Sequence, residues 1–313
     1  MNSNQNQKPI DAVILWVDGN DKNHQLKMAP FLENKEIRKT KKFQNRFSQV
    51  NEIKFTVNSL LKFAPYLRNI FIITDNQKPK FLKDQLLRKK YDKISVIDHK
   101  TIFDGYEQYL PTFNNRTIEC LMFRIPNLAE HFIYLNDDFF LINKTQPEDF
   151  FIDGKPVLRG KWLNFDENKF FNKRKRKRIG HKTAQQLSAK IAGFSKYYNF
   201  KHTPHPLRKS TFEFFFKTHT DLILNHLQYK FRSNKQFLIQ GVINHIEIKN
   251  KNCFLKKDLQ LLYFRSYKKP YLWYRMRFLI NNENNIFLGL QNLNSCPKKI
   301  LSYLIKWLEK KTA

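Results

Sequence analysis

The fold is constrained most strongly by four short apolar segments, each of strand length, that are separated by stretches of a different periodicity. They lie at residues 12–17, 70–74, 94–97 and 132–135. The stretches between them place apolar residues at helical spacing, over 51–64, 79–90 and 114–124. Strands that are apolar throughout are buried on both faces, and their alternation with helices is typical of a mostly parallel sheet covered by helices. We therefore predict an α/β fold for this half of the chain.

Asn136, Asp137 and Asp138 interrupt an otherwise apolar region. They follow the apolar residues 132–135 and precede a second apolar run at 139–142. A buried, unpaired carboxylate is costly, so two of them are expected where a ligand offsets their charge. At the carboxyl end of a strand, in the crevice where open α/β sheets bind ligands, both could hold a hard cation. A strand followed by an Asx turn explains the same residues, and the local pattern does not separate the two interpretations.

Acids also follow two of the other predicted strands. Asp18 comes after the first strand and Asp75 after the second. Each of these alone is common as a turn or helix cap. Because the carboxyl ends of parallel strands meet at one edge of a sheet, we expect the acids to gather there.

The charge of the chain indicates an anionic partner. Lys and Arg number 57 against 27 Asp and Glu, a formal net charge of +30. Such a surplus suits nucleic acid, phospholipid, nucleotide or an acidic polymer. Hydrophobic residues make up 41% of the chain, with 30 Phe, which is enough for a substantial core.

Cysteine usage and the N-terminal sequence favour the cytoplasm. The three cysteines form no close pair and no metal-type spacing, which is typical of a reducing compartment and argues against a zinc site. The first residues lack the order of a signal peptide, and no apolar run approaches the ~18 residues that span a bilayer.

The second half has a different character. Six consecutive basic residues at 173–178 predict a solvated loop, or a contact with anionic lipid or polymer. Residues 183–245 are predicted to be helical and aromatic-rich, and 299–313 form a basic amphipathic helix. Core packing is the favoured role of that helix, and peripheral membrane attachment is the alternative. The predicted domains are an α/β half at 1–160, a basic insertion at 161–182 and a helical-rich half at 183–313.

Several segments resemble the Stealth proteins, which are sugar-1-phosphate transferases of bacterial capsule synthesis related to the animal GlcNAc-1-phosphotransferase. Residues 10–21, IDAVILWVDGND, resemble the first signature block of that family. The second block is similar to residues 46–77 and continues through 98–99, 110–114, 118–119 and 134–138. The third resembles 202–206 with 231–233 downstream, and a weaker fourth match lies at 287–294.

The resemblance implies a nucleotide-sugar-binding core, Rossmann-like or GT-A-like, with helical C-terminal additions. It implies transfer of a sugar-1-phosphate from a nucleotide-sugar donor to a saccharide or phosphodiester-polymer acceptor. Mg²⁺ or Mn²⁺ would be held by Asp137 and Asp138, and His202 would act as the base. The remaining candidates bind phosphate or line the substrate site: Asp18, Arg46, His99, Asn114, Arg116, Glu119, His205 and Arg232.

The chain departs from the family pattern at three positions. The third block often carries an Asp four residues after its Arg, and this chain has Gln236 there. Asn292 and Asn294 stand where the last block often has acids. We therefore assign no metal ligand or base to these positions.

Two other functions fit part of the sequence. A metal-dependent nucleotide-sugar glycosyltransferase would share the fold, the acids and the donor, but would release a nucleoside diphosphate. A nucleic-acid-binding protein would explain the net charge, and its binding would depend steeply on salt. The spread of charge along the chain and the lack of a nucleic-acid motif disfavour nucleic acid as a partner.

Overall fold

The computed structural model describes residues 8–32, 34, 36, 40, 43, 47, 49–168, 180–281 and 283–313. Arg46 and the basic residues 173–178 lie outside the described residues. The chain divides into two compact units, each assembled from three segments. Unit 1 comprises Met1–Val13, His99–Tyr134 and Glu148–Leu259, and unit 2 comprises Ile14–Asp98, Leu135–Pro147 and Gln260–Ala313.

The structure describes thirteen strands and ten α-helices. The strands are β1 (Ile10–Leu15), β2 (Ile70–Thr74), β3 (Ile94–Asp98), β4 (His131–Asn136), β5 (Phe139–Leu141), β6 (Phe151–Ile152), β7 (Lys155–Arg159), β8 (Lys161–Asn164), β9 (Lys196–Asn199), β10 (His205–Arg208), β11 (Phe254–Lys256), β12 (Leu261–Phe264) and β13 (Phe287–Leu290). The helices are α1 (Lys22–Met28), α2 (Glu52–Phe63), α3 (His99–Ile102), α4 (Asn115–Glu119), α5 (His181–Ile191), α6 (Lys209–Thr218), α7 (Thr220–Leu227), α8 (Ile239–Lys249), α9 (Tyr271–Asn281) and α10 (Lys298–Thr312).

The largest sheet contains the four strands predicted from the apolar segments. Its order is β10-β4-β1-β2-β3. Strands β2 and β3 are parallel, in a register that pairs Ile70 with Ile94 and Thr74 with Asp98. Strand β10 joins antiparallel to β4 and pairs His205 with Tyr134. The α/β prediction is confirmed, with a mostly parallel central sheet to which one antiparallel edge strand is added.

Some predicted helices are shorter or absent. Residues 79–90 form two 3₁₀ turns, Lys80–Leu82 and Gln85–Leu87, because Asp84 accepts a hydrogen bond from the backbone N–H of Leu86 and starts a new turn. The helix predicted over 114–124 ends at Glu119 and is followed by a 3₁₀ turn, Met122–Arg124. Pro126, two residues beyond that turn, disfavours helical backbone at the residue before it.

The region predicted to be helical at 183–245 also contains strands β9 and β10. Strand β9 pairs antiparallel with β8. Tyr197 and Tyr198, two aromatic residues that favour strands, are buried in the middle of β9.

The C-terminal helix α10 packs into the core of unit 2. Its apolar side chains Ile300, Leu304 and Leu308 are buried in one cluster with Phe140 of β5 and Leu288 of β13. The prediction that this helix packs in the core is confirmed, and the side chains that would have inserted into a membrane are not available. Among the described residues, every helix is too short or too polar to cross a bilayer.

Candidate active-site residues

The paired acids lie in a turn of unit 2 whose backbone is held on both sides. Strand β4 ends at Asn136, and β5 begins at Phe139. The Thr56 hydroxyl of α2 donates to the carbonyl oxygen of Asp137 at 2.5 Å. The backbone N–H of Leu290 donates to the carbonyl oxygen of Asp138 at 3.0 Å. These bonds fix the backbone of the two acids at the end of a sheet strand, where the sequence predicted them.

The electrostatic environment of this turn is strongly negative. Burial raises the pKa of Asp137 well above its usual range, and the neighbouring charges of Asp138 and Glu52 raise it further. Burial also raises the pKa of Glu52, whose carboxylate accepts a hydrogen bond from the backbone N–H of Val50 at 2.6 Å. The pKa of Tyr263 is raised by burial and then by the charge of Asp138. A cation would offset the repulsion among these groups.

The acids fit a metal ion that also takes ligands from a substrate. No group of three His, Cys, Asp or Glu side chains in the described part of the chain is arranged to hold a metal. Mg²⁺ is commonly bound by one or two carboxylates, with water and substrate phosphates completing its shell. Asp137 and Asp138 match that donor set, and they do not match a site built from protein ligands alone.

Asp18 sits where the ends of β1 and β2 meet. The backbone N–H of Trp16 donates to the carbonyl oxygen of Ile73 at 3.0 Å. The Gln77 side chain then bonds the backbone of Asp18 twice, accepting from its N–H at 2.8 Å and donating to its carbonyl at 3.0 Å. The Asp18 carboxylate accepts from the N–H of Asn20 at 3.0 Å, which closes an Asx turn.

The neighbouring strand ends complete this edge. The Asp98 carboxylate, at the end of β3, accepts from the backbone N–H of Asn76 at 2.5 Å. The ends of β1, β2 and β3 therefore meet within unit 2, and the predicted gathering of Asp18 and Asp75 is confirmed there. Asp75 has a structural role there, because it pairs with Lys27 at 2.9 Å and with His24 at 3.5 Å.

A second cluster, in unit 1, contains imidazoles and guanidiniums. His202 lies in the turn before β10, where the Pro two residues on disfavours helix. Its ring is 4.2 Å from that of His181 between centroids. The ring of His205 stacks at 15° on that of Tyr134, with 6.5 Å between centroids. The pKa of His181 is held well below its usual range by burial and then by the positive charges of neighbouring His and Arg side chains: His202, His205, Arg116 and Arg232. A positive electrostatic environment of this kind suits the binding of a phosphate.

Arg232 is positioned by a chain of hydrogen bonds. Its Nε donates to the Asn115 side-chain oxygen at 2.6 Å. The Asn115 amide nitrogen donates to Glu119 at 2.9 Å, and the Tyr134 hydroxyl donates to the same carboxylate oxygen at 2.8 Å. Glu119 is buried, and its pKa is raised by burial despite these bonds and the two nearby arginines. Glu119 therefore holds the network that directs Arg232.

Two of the predicted site residues, Arg116 and Asn114, make hydrogen bonds to other parts of the protein. Arg116 donates through Nη1 to the carbonyl of Ser233 at 2.9 Å and through Nη2 to that of Gly180 at 3.0 Å. The Asn114 amide nitrogen donates to the carbonyl of Tyr229 at 3.0 Å and to Gln236 at 2.8 Å. Both side chains fix the loops that carry Arg232 and His181.

His99 is buried at the start of α3, with its ring 6.5 Å from that of Phe103. The structure thus gathers His202, His205, Arg116, Arg232, Asn114 and Glu119 in unit 1, and Asp18, Asp137 and Asp138 belong to unit 2.

Sequence reasoning missed His181, Tyr134 and Glu52 as members of these clusters. His181 follows the basic tract with no motif around it, and Tyr134 reads as an ordinary strand residue. Glu52 begins a helix, where an acid is expected for its effect on the helix dipole. Each residue gains its role from a contact with a distant segment.

Paired acids after a central strand of an α/β sheet, with a separate cluster of imidazoles and guanidiniums, are typical of enzymes that act on phosphorylated substrates. Two family models match the chain: Stealth protein conserved region 1 over residues 8–36 and conserved region 2 over residues 46–157. The chain belongs to the Stealth family of capsular polysaccharide phosphotransferases, as the signature blocks predicted.

Named relatives support this assignment over most of the chain. Capsular polysaccharide phosphotransferase cps1A of Actinobacillus pleuropneumoniae is 33% identical over 89% of this chain and 75% of its own length. A capsular polysaccharide phosphotransferase of Actinobacillus suis is 31% identical over 95% of this chain and 82% of its own length. Another from Actinobacillus pleuropneumoniae, cps12A, is 37% identical, and the match covers 73% of this chain and 61% of that protein.

Among solved structures, the galactosyltransferase LgtC in complex with donor and acceptor sugar analogues aligns over 96% of this chain and 95% of its own. The TM-score is 0.48 and the sequence identity is 10%.

Proposed function

We propose that this chain transfers a hexose-1-phosphate or N-acetylhexosamine-1-phosphate from a nucleotide sugar to a hydroxyl group of an acceptor saccharide. The acceptor oxygen attacks the phosphorus that carries the sugar, and the bond from that phosphorus to the oxygen of the nucleoside monophosphate breaks. The products are a phosphodiester between sugars and a nucleoside monophosphate. The observation that carries the proposal is kinship with relatives named capsular polysaccharide phosphotransferases over as much as 95% of the chain.

The proposed roles in unit 2 concern the donor phosphates. Asp137 and Asp138 would hold Mg²⁺ or Mn²⁺, which when bound neutralises charge on the pyrophosphate. The mutual repulsion of these acids and Glu52 supports a cation there. Asp18, fixed by Gln77 in a tight turn, is proposed to contact the nucleotide.

In unit 1, His202 is proposed to take the proton of the acceptor hydroxyl as the new bond to phosphorus forms. A neutral His181 beside it keeps a second positive charge away, which leaves His202 able to accept that proton. Arg232, directed by Asn115, is proposed to bind phosphate oxygens. Arg46 is proposed for the same role from the family block.

Positioning explains the remaining candidates. Phosphoryl transfer depends mainly on orientation and charge neutralisation, so residues that fix Arg232 and His202 affect turnover without touching the substrate. We assign that role to Asn114, Arg116 and Glu119 from their hydrogen bonds. His99 and His205 are proposed to shape the substrate site from buried positions.

The partners follow from charge. A surplus of +30 suits a nucleotide-sugar donor and an acceptor that becomes an anionic phosphodiester polymer. It also suits peripheral contact with the anionic inner face of the cytoplasmic membrane, where we propose that the enzyme works.

Product analysis tests the function directly. The purified protein would be incubated with a panel of nucleotide sugars, Mg²⁺ or Mn²⁺, and capsule-type oligosaccharides, and the nucleotides would be separated by chromatography. Metal-dependent release of a nucleoside monophosphate, with a phosphodiester signal in phosphorus NMR, is the expected result. Release of a nucleoside diphosphate would instead show attack at the sugar carbon and establish a glycosyltransferase.

A further inference from the structure

Helix α9 (Tyr271–Asn281) exposes a row of large apolar side chains. Leu272, Met276, Leu279 and Ile280 are 65%, 59%, 76% and 63% exposed, and Trp273 beside them is 38% exposed. The opposite side of the helix is well packed, since Tyr274 and Phe278 are both 1% exposed and belong to the core cluster of unit 2. The helix is therefore anchored in the fold by one face while it presents an apolar face to solvent.

The exposed residues form one continuous stripe. An α-helix turns by about 100° per residue, so the five apolar side chains span roughly 120° of its circumference. Arg275 and Arg277, both exposed, fall on the two borders of that stripe. The stripe has an apolar centre and a cationic border on each side.

The charges on α9 and in the segment that precedes it are all positive, and Glu283 lies two residues beyond the end of the helix. Helix α9 contains no acidic residue, and it is preceded by exposed basic residues at Arg265, Lys268 and Lys269. An apolar stripe bordered by cations is the arrangement of helices that lie in the interface of an anionic bilayer. Long Arg and Lys side chains there reach the headgroups while apolar side chains enter the acyl region.

A second copy of the chain is a poorer occupant. In a symmetric contact the same patch faces itself, so the bordering arginines of the two copies would approach one another. The stripe is complementary to a bilayer, in which an apolar acyl region lies beneath negatively charged headgroups.

We propose that α9 docks the protein onto an anionic phospholipid surface, with the helix lying flat and Leu272, Met276 and Leu279 inserted. The membrane contact then lies on α9 and not on the C-terminal helix α10, whose apolar side chains are buried in, or packed against, the core cluster of unit 2. This docking is independent of the transfer reaction and of the identity of the donor, so it stands or fails separately from the proposed activity.

Vesicle sedimentation with the full chain provides the test. The probes are vesicles of phosphatidylcholine alone and vesicles that also contain phosphatidylglycerol. The test variant is L272Q/M276Q/L279Q, and the matched control is L26Q/L86Q/L255Q, which replaces exposed leucines elsewhere. The charge variant R275Q/R277Q is compared with K217Q/K257Q, which removes two exposed lysines of unit 1.

We expect the protein to sediment with the anionic vesicles and not with neutral ones. The apolar and charge variants of α9 should each lose at least about tenfold in partitioning, with both controls unchanged. Equal binding by the α9 variants and the wild type would overturn the proposal, and so would failure of the wild type to bind. A dimer that is lost in L272Q/M276Q/L279Q would also overturn it, by assigning the stripe to a second copy.

Fluorescence of the wild type gives a measurement that needs no disruptive variant. Trp273 lies at the edge of the stripe, so lipids brominated in the acyl chain should quench its emission in anionic vesicles. W273F should remove that quenching. Quenching that persists in W273F would place the inserted region at another tryptophan and contradict docking through α9.

Discussion

The ring of His181 lies 4.2 Å from the ring of His202, and the two histidines come from the start of α5 and from the turn before β10. The first is held neutral by burial and by the cations around it. Two imidazoles at this distance repel each other strongly when both are positively charged. The protonation of one ring therefore depends on the charge of the other.

Replacing His202 with Ala should lower kcat by roughly 10²–10⁴-fold if this imidazole takes the acceptor proton. The limb of the pH–rate profile that reports the base should disappear. His181→Asn should have a smaller effect on kcat but should shift that limb, because the ring beside His202 is gone. His219→Ala, at an exposed histidine, is the control, and an unchanged profile in His202→Ala would remove the base assignment.

Asp138→Asn should abolish turnover while leaving the fold intact. The substitution removes the repulsion of Asp138 on Asp137, so the melting temperature of the metal-free protein should rise. Stabilisation by added Mn²⁺ with nucleotide sugar should shrink. Calorimetry of this variant and of Asp92→Asn, an exposed control, separates the effects, and full activity in Asp138→Asn would contradict the metal role.

Gly19→Ala should disturb the turn that carries Asp18. A Cβ atom at Gly19 would lie 2.0 Å from the carbonyl oxygen of Phe47, so the backbone must move. We expect a loss of about 1–3 kcal/mol in the free energy of unfolding, with weaker donor binding. Urea unfolding and donor titration measure the two effects. Asn20→Ala, in the same turn, should change neither by a comparable amount.

Gln236→Leu should destabilise unit 1, because the Gln236 side chain is fully buried and makes four hydrogen bonds. The Gln236 side chain accepts from Asn114 at 2.8 Å and from the N–H of Ser233 at 3.0 Å, and it donates to Thr117 and to the carbonyl of His226, each at 3.3 Å. Leucine removes all four bonds, although Asn114 and Thr117 each keep a bond to the carbonyl of Tyr229. The cost is about 1–3 kcal/mol for each buried group that is left unpaired.

The measurement is chemical unfolding, compared with Gln228→Leu at an exposed glutamine. Arg232 lies in the loop that Gln236 closes, so kcat should fall as well. A variant as stable as the wild type would show that water or rearranged neighbours replace the lost bonds.

Acid should destabilise the protein through its buried histidines. The Nε2 atom of His245 accepts a hydrogen bond from the N–H of Tyr198 at 3.0 Å, so it cannot also carry a proton. Burial lowers the pKa of His245 to about 4 and those of His205 and His226 to about 3. Because these values lie below the usual pKa of about 6.5, the stabilisation is present above that pH and is lost as the pH falls.

Each such histidine should cost about 1.4 kcal/mol in unfolding free energy per pH unit below about 6.5, until its folded pKa is reached. Unfolding curves between about pH 5 and pH 7 measure the slope. His245→Gln should reduce this slope by about 1.4 kcal/mol per pH unit, the contribution of one histidine. His219→Gln, at an exposed histidine, should leave the slope unchanged. A slope in His245→Gln equal to that of the wild type would show that the His245 ring takes up a proton as readily in the folded protein as in the unfolded chain.

Much of the fold was predictable because its signals are local. Strands β1, β2 and β4 are mostly apolar and buried, β3 is apolar at alternate positions and half-buried, and acids or turn residues mark their ends. Parallel pairing then brings those ends to one edge, which is why Asp18 and Asp75 were correctly expected there. The helix predicted over 79–90 from apolar spacing was wrong, because Asp84 caps a new turn within this segment.

The sequence by itself determined the family, the α/β class, the position of Asp137 and Asp138 after a central strand, and the loop that carries His202. Tertiary structure decided which distant side chains meet: His181 with His202, and Asn114 with Gln236, 122 residues away. It also decided that α10 is buried while α9 exposes its apolar stripe. Strand and helix periodicity is written in neighbouring residues, whereas hydrogen-bond partners and buried faces depend on contacts between segments far apart in the chain.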